Sequence, residues 1–125
     1  MANGTIAFDT LQTSGQITST AKSLDTDYII SGSAKAWLLA SNAAVLTNSL
    51  NISSGTDNGT GNYTFAFSNS MGNGNYSPTA ITANDVSNFV LNTARATGSV
   101  QNKVSNDAGN LADDVTTAHI LGDLA

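Results

Sequence analysis

His119 is the only histidine in 125 residues, and the chain has neither cysteine nor glutamate. Acid–base chemistry would therefore run through His119 and the aspartates, which supply all nine acidic residues. A nucleophilic arrangement would combine His119, Asp114 and one of 15 serines. Serine is so frequent that such proximity carries no signal, because a catalytic site needs groups in fixed mutual roles. Zinc sites draw on Cys and His, which this composition hardly provides. Asp25 and Asp27 could ligate calcium with backbone carbonyls, but a calcium loop gathers several carboxylates and carbonyls in one short stretch. Two aspartates in a turn read as turn caps. The residues thus predict no catalytic side chain, no metal site and no cofactor: a protein that is not an enzyme. His119 reads as one face of the last strand, alternating with Val115, Thr117 and Leu121.

Binding chemistry is the other possibility. Trp37, Tyr28, Tyr63 and Tyr76 could form a platform on which sugars stack. Aromatic residues at strand positions more often fill a core, since they carry the largest apolar burial. Tyr63 alternates in phase with Phe65 and Phe67 and is assigned to the core. Tyr76 follows a Gly/Asn loop and is the better surface candidate. With the loop residues Asn58, Asn73 and Asn75 it makes up a candidate recognition surface. The loops that hold them, 55–61 and 68–75, are expected to tolerate substitution, as surface segments do. The four cations, Lys22, Lys35, Arg95 and Lys103, are scattered over a chain of net charge −5. They cannot neutralise a run of phosphates, so no nucleic-acid partner is expected. No apolar run is long enough for membrane insertion. Residues 1–5 carry no positive charge and lead into no apolar stretch, so no signal peptide is expected.

The elements that would position these residues follow from composition. Ser, Thr and Asn contribute 46 residues, charged residues are 10%, and there is a single proline. This mixture suits strands and turns better than exposed helices. Disorder usually accompanies high net charge or many prolines, and neither is present. Residues 33–39 and 44–52 read as strands joined by a turn at Ser41-Asn42. Ser53 to Gly61 is a turn-rich run containing Asn58-Gly59. The alternation in Asn62-Tyr63-Thr64-Phe65-Ala66-Phe67 is the clearest strand. Strands are also expected at 76–83, where Pro78 belongs to a strand start or an edge, around 89–91, at 99–104 and at 115–121. Short strands with turn signals between them predict an all-β fold, a small antiparallel β-sandwich over residues 31–125. Residues 1–30 form an extended N-terminal arm, with extended pieces at 5–8 and 11–17 and a short strand at 28–30. So small a chain, poor in large apolar residues, buries little core alone. Ile6, Phe8, Leu11 and Ile17 of the arm are the candidate contacts with further copies of the chain.

Several segments resemble a recurring domain of tailed-bacteriophage fibre-type proteins common in marine phages. They are Ser33-Ala34-Lys35-Ala36-Trp37, Asn51-Ile52-Ser53-Ser54, Thr56-Asp57-Asn58-Gly59-Thr60-Gly61-Asn62-Tyr63-Thr64 and Asn73-Gly74-Asn75-Tyr76. The opening, Gly4-Thr5-Ile6 through Ile17 and Ala21 through Tyr28, is similar to the segment that often precedes that domain. Gly122-Asp123-Leu124-Ala125 is similar to its usual end. The sequence departs from the pattern at 38–46, which is more apolar, and at 93–114, which is more polar, leaving strand pairing there open. The resemblance implies a small β-sandwich, a homotrimer, a place in the virion after assembly in the host cytoplasm, and no catalytic residues. It implies a structural protein of tail-fibre type that contacts other virion proteins through the arm and a host surface glycan or protein through its loops. A capsid decoration or cement protein with the arm gripping the shell, and a carbohydrate-binding module, are the alternatives.

Overall fold

The computed structural model describes residues 32–82 and 89–125. The arm residues Ile6, Phe8, Leu11 and Ile17, the Asp25–Asp27 turn and the strand expected at 28–30 lie outside the described residues. Residues Ala34–Ala125 form a unit of their own. Its described residues form eight strands: β1 (Ala34–Ala40), β2 (Leu46–Leu50), β3 (Ile52–Asp57), β4 (Asn62–Phe67), β5 (Ser77–Thr82), β6 (Phe89–Ala96), β7 (Ser99–Ser105) and β8 (Thr116–Leu121). They build two four-stranded sheets, ordered β2-β1-β8-β5 and β3-β4-β7-β6. Every pairing is antiparallel. The fold is an all-β sandwich, as composition and turn spacing predict.

Alternation explains the core. In β4, Tyr63, Phe65 and Phe67 point inward and are buried, while Thr64 and Ala66 face out. In β1 the inward set is Ala36, Leu38 and Ala40, and in β8 it is Thr116, Ala118 and Ile120. The β1–β8 sheet thus offers mostly small residues to the bulky aromatic row of β4, a large-to-small match that fills the space between the sheets. Val100 and Val104 of β7 complete the layer. Pro78 sits in β5, an edge strand, where its missing N–H breaks no ladder.

Two expectations need correction. The strand expected over 44–52 is broken: β2 ends at Leu50, and Asn51, with φ 56°, carries the chain from one sheet to the other. Asparagine tolerates this left-handed conformation better than most residues. The turn-rich reading of Ser53 to Gly61 holds only for its end. Residues Ile52–Asp57 form β3, paired along β4 from Ile52↔Phe67 to Asp57↔Tyr63. Ser and Gly are weak strand formers, but at Gly55 the lack of a side chain is what fits. A Cβ there would collide with the Ala44 carbonyl oxygen and press on the Phe65 ring.

The connections gather at opposite ends of the sandwich. The upper end holds the β1–β2 turn at 41–45, the β3–β4 turn at 58–61 and the β7–β8 connection at 106–115. The lower end holds Asn51, the β4–β5 loop at 68–76, the β6–β7 turn at 97–98 and the last residues, 122–125. The chain also passes into β1 at the lower end, where Ala34 pairs with Leu121.

Candidate interaction surfaces

At the upper end the resemblance motif folds into a tight, internally bonded turn. Asn58 N donates to the Asn62 carbonyl at 2.8 Å and Asn62 N to the Gly59 carbonyl at 2.9 Å. Gly59 N donates to Asp57 Oδ1 at 2.8 Å, and Asn58 Nδ2 to Thr64 Oγ1 at 2.9 Å. Gly59 and Gly61 have φ of 115° and 60°, the left-handed region that glycine enters without steric cost. Gly61 N donates to Asp113 Oδ1 at 2.6 Å. The Tyr63 hydroxyl lies 3.0 Å from the Asn42 carbonyl and 3.1 Å from Asp113 Oδ1, donating between them, and accepts from Asp114 N at 3.3 Å. The phenol thereby joins the 41–45 turn to the 106–115 connection, and Asp113 ties in the third, at Gly61. Burial pushes its pKa up to about 12, and the hydrogen bond to the Asp113 carboxylate acts in the same direction. Asn58, Gly59 and Thr60 at the tip are exposed, as are Asp107, Gly109 and Asn110 of the neighbouring connection.

The lower end corrects the recognition surface. Asn73 and Asn75 are exposed, with Asn75 N bonded to Asn73 Oδ1 at 2.7 Å. Tyr76 is not a surface residue: it is 2% exposed. Its ring packs edge-on against Phe67 with centroids 5.6 Å apart, and its hydroxyl donates to the Ser99 carbonyl at 2.7 Å. The Gly/Asn loop before it suggested exposure, but the aromatic ring is worth more in the core than at the rim. Asn58 lies at the opposite end of the sandwich from Asn73 and Asn75, so the three asparagines do not share one surface.

Nor is the 68–76 loop free to vary. Met71 is buried, its N–H donates to the Thr97 carbonyl at 2.8 Å, and Ser68 N bonds the Asn51 carbonyl at 3.1 Å. Gly72 N and Ala125 N tie the loop to the final residues through the Asp123 and Ser70 carbonyls at 2.8 and 3.0 Å. In the other loop, Gly55 and Gly61 are equally constrained, because a Cβ on Gly61 would meet the Val104 carbonyl oxygen. Buried Met71 and the close approaches at Gly55 and Gly61 thus restrict the two loops at those positions.

His119 is exposed on the outer face of β8, whereas Asp114 is buried before that strand begins. Five extended residues separate them by about 16 Å, so the structure does not bring His119 and Asp114 together. His119 stands between Trp37 of β1 and Thr79 of β5 in one cross-strand row. A shallow groove beside it is lined by Thr79, Ile81, Thr117 and Ala118. Trp37 lies on this outer face too, half-buried rather than in the core. Compared with protein-family models, with curated proteins and with solved structures, the chain matches none.

Proposed function

We propose that this chain is a non-enzymatic structural protein of a tailed-phage virion, of tail-fibre type, which meets a host surface through exposed polar loop tips. The observation that carries the reading is the motif Thr56 to Thr64, the most specific part of the fibre resemblance. In this fold it is a hairpin whose backbone is locked by Asp57, Asp113 and Tyr63 while its tip, Asn58 to Thr60, stays open to solvent. A rigid scaffold with a polar tip suits recognition, since loops on a fixed frame carry contact residues. Contacts of this kind are weak singly, and several copies on one assembly strengthen them through avidity. The arm residues Ile6, Phe8, Leu11 and Ile17 are proposed to attach the chain to neighbouring virion subunits.

The test is to remove the protein from particles, or block it with antibody, and to measure adsorption and heat resistance of the heads on the same preparation. Loss of adsorption with intact heads is expected. Normal adsorption with fragile heads would replace this reading with a capsid decoration protein.

A further inference from the structure

An asparagine followed by glycine can react with its own main chain, because glycine has no side chain to crowd its N–H and turns freely. The chain holds three such pairs, Asn3-Gly4, Asn58-Gly59 and Asn73-Gly74. Asn3 lies outside the described residues. The other two differ in their hydrogen bonds. At the upper tip both reacting groups are engaged. Asn58 Nδ2 donates to Thr64 Oγ1 at 2.9 Å, which holds the side chain toward β4, and Gly59 N donates to Asp57 Oδ1 at 2.8 Å. A carboxylate beside that N–H opposes loss of its proton, since two negative charges would then adjoin. At the lower end Asn73 is exposed, and its Oδ1 accepts the N–H of Asn75 at 2.7 Å. This Asx turn directs the side-chain carbonyl forward, along the Gly74 peptide. Among the described residues no acceptor takes the Gly74 N–H.

We propose that Asn73-Gly74 is a self-modification site, at which the folded protein converts Asn73 into isoaspartate and aspartate, while the fold shields Asn58-Gly59. Hydroxide takes the Gly74 amide proton, and the nitrogen attacks Asn73 Cγ. The Asn75 N–H that already meets Oδ1 stabilises the negative charge growing there. The Cγ–Nδ2 bond then breaks, Nδ2 takes a proton from water, and ammonia departs to leave a cyclic imide. Water opens that ring. Cleavage of the new bond between Cγ and Gly74 N gives aspartate. Cleavage of the original peptide bond gives isoaspartate, with the main chain rerouted through Cβ and Cγ. One water is consumed and one ammonia released, and nothing is oxidised or reduced. Either product adds a negative charge to a chain of net charge −5. Isoaspartate also lengthens the main chain between Met71 and Tyr76, which are both buried. Room for it is small, since a Cβ on Gly74 would lie 3.1 Å from the Arg95 carbonyl oxygen. Isoaspartate therefore loosens the lower end, where Gly72 N and Ala125 N tie the loop to the final residues. The chemistry needs no partner, so it stands whatever surface the protein meets.

The experiment incubates the full folded chain in mildly alkaline buffer and a second sample in concentrated urea. Peptide mass mapping with isoaspartate detection follows both pairs, and the urea sample gives each pair's rate without the fold. In the folded chain Asn73 should convert several-fold faster than Asn58, whereas in urea the two should convert at similar rates. Gly74→Ala should stop conversion at Asn73. Thr64→Ala, which removes the acceptor of the Asn58 amide, should raise conversion at Asn58 several-fold. Protein aged to isoaspartate should unfold at a lower urea midpoint than fresh protein. Asn73→Asp, which adds the charge without lengthening the chain, should stay close to fresh protein. An Asn73 slowed by the fold as much as Asn58 overturns the proposal, as does an Asn58 that converts as fast as Asn73 in the folded chain. An Asn58 unaffected by Thr64→Ala overturns the shielding, and a midpoint unmoved by isoaspartate overturns the loosening of the lower end. Should Gly74→Ala fail to fold, the wild-type rates with and without urea decide alone.

Discussion

Tyr63 and Asn51 show how single residues hold this sandwich together. The Tyr63 phenol is buried, and its folded pKa of about 12 lies above its ordinary value of 10. The folded state therefore prefers the protonated phenol. Its contribution is complete below pH 10 and is lost as pH rises from 10 through 12. Tyr63→Phe should cost about 1 kcal/mol at neutral pH, the usual net value of a hydrogen bond. It should also flatten the fall of stability between pH 10 and 12. A residual slope is expected from Tyr76, whose pKa burial also raises. Urea unfolding of both proteins at pH 8, 10 and 11.5 checks this, and an unchanged slope in the variant would refute the role of Tyr63. At Asn51 the side chain donates to the Asn69 carbonyl at 3.0 Å and accepts from Asn69 N at 2.7 Å. Asn51→Ala forfeits both bonds and puts at φ 56° a residue that tolerates the left-handed region less well than asparagine, for an expected loss of about 2–3 kcal/mol. Asn51→Gly should recover the backbone part, and denaturant midpoints of the two variants separate the terms.

At the scale of elements, β4 tests the alternation on which the fold is read. Phe65→Ala should cost about 3–5 kcal/mol, the range for a buried phenylalanine. Thr64→Ala, on the outer face, loses one hydrogen bond from Asn58 and should cost about 1 kcal/mol. Equal losses in chemical denaturation would contradict the register. β4 is legible in the sequence because its aromatic residues recur every second position, and Pro78 marks an edge for a reason local to its ring. β3 is not legible: Ser53, Ser54, Gly55, Thr56 and Asp57 are turn-type residues, and only their partner across the sheet makes them a strand. Asn51 hides for a related reason, since Leu50 and Ile52 continue the period of two that β2 begins. The break lies in one backbone dihedral that no side-chain pattern records. Tyr76 is misplaced by its loop because the Phe67 ring and the Ser99 carbonyl that hold it come from distant positions in the chain.

For the whole molecule, the arrangement of its two ends decides which asparagines can reach a partner. The chain passes into β1 and finishes at Ala125 at the same lower end, with the 68–76 loop stitched between the final residues and the β6–β7 turn. On the proposed reading the host contact is made by the exposed tip Asn58 to Thr60 at the upper end. The exposed upper residues Thr60 and Asp107 belong to two different connections, joined through Asp113 and Tyr63. Thr60→Lys with Asp107→Lys should therefore reduce adsorption at least several-fold while leaving thermal stability within about 0.5 kcal/mol, the usual range for surface substitutions. Asn73→Ala with Asn75→Ala removes the bond that the backbone N–H of residue 75 donates to Asn73 Oδ1. It should cost about 1 kcal/mol of stability and leave adsorption unchanged. Measuring particle adsorption and melting of the purified protein for both pairs gives four numbers. Adsorption that follows the lower pair and ignores the upper one would move the proposed contact surface from the upper end to the lower.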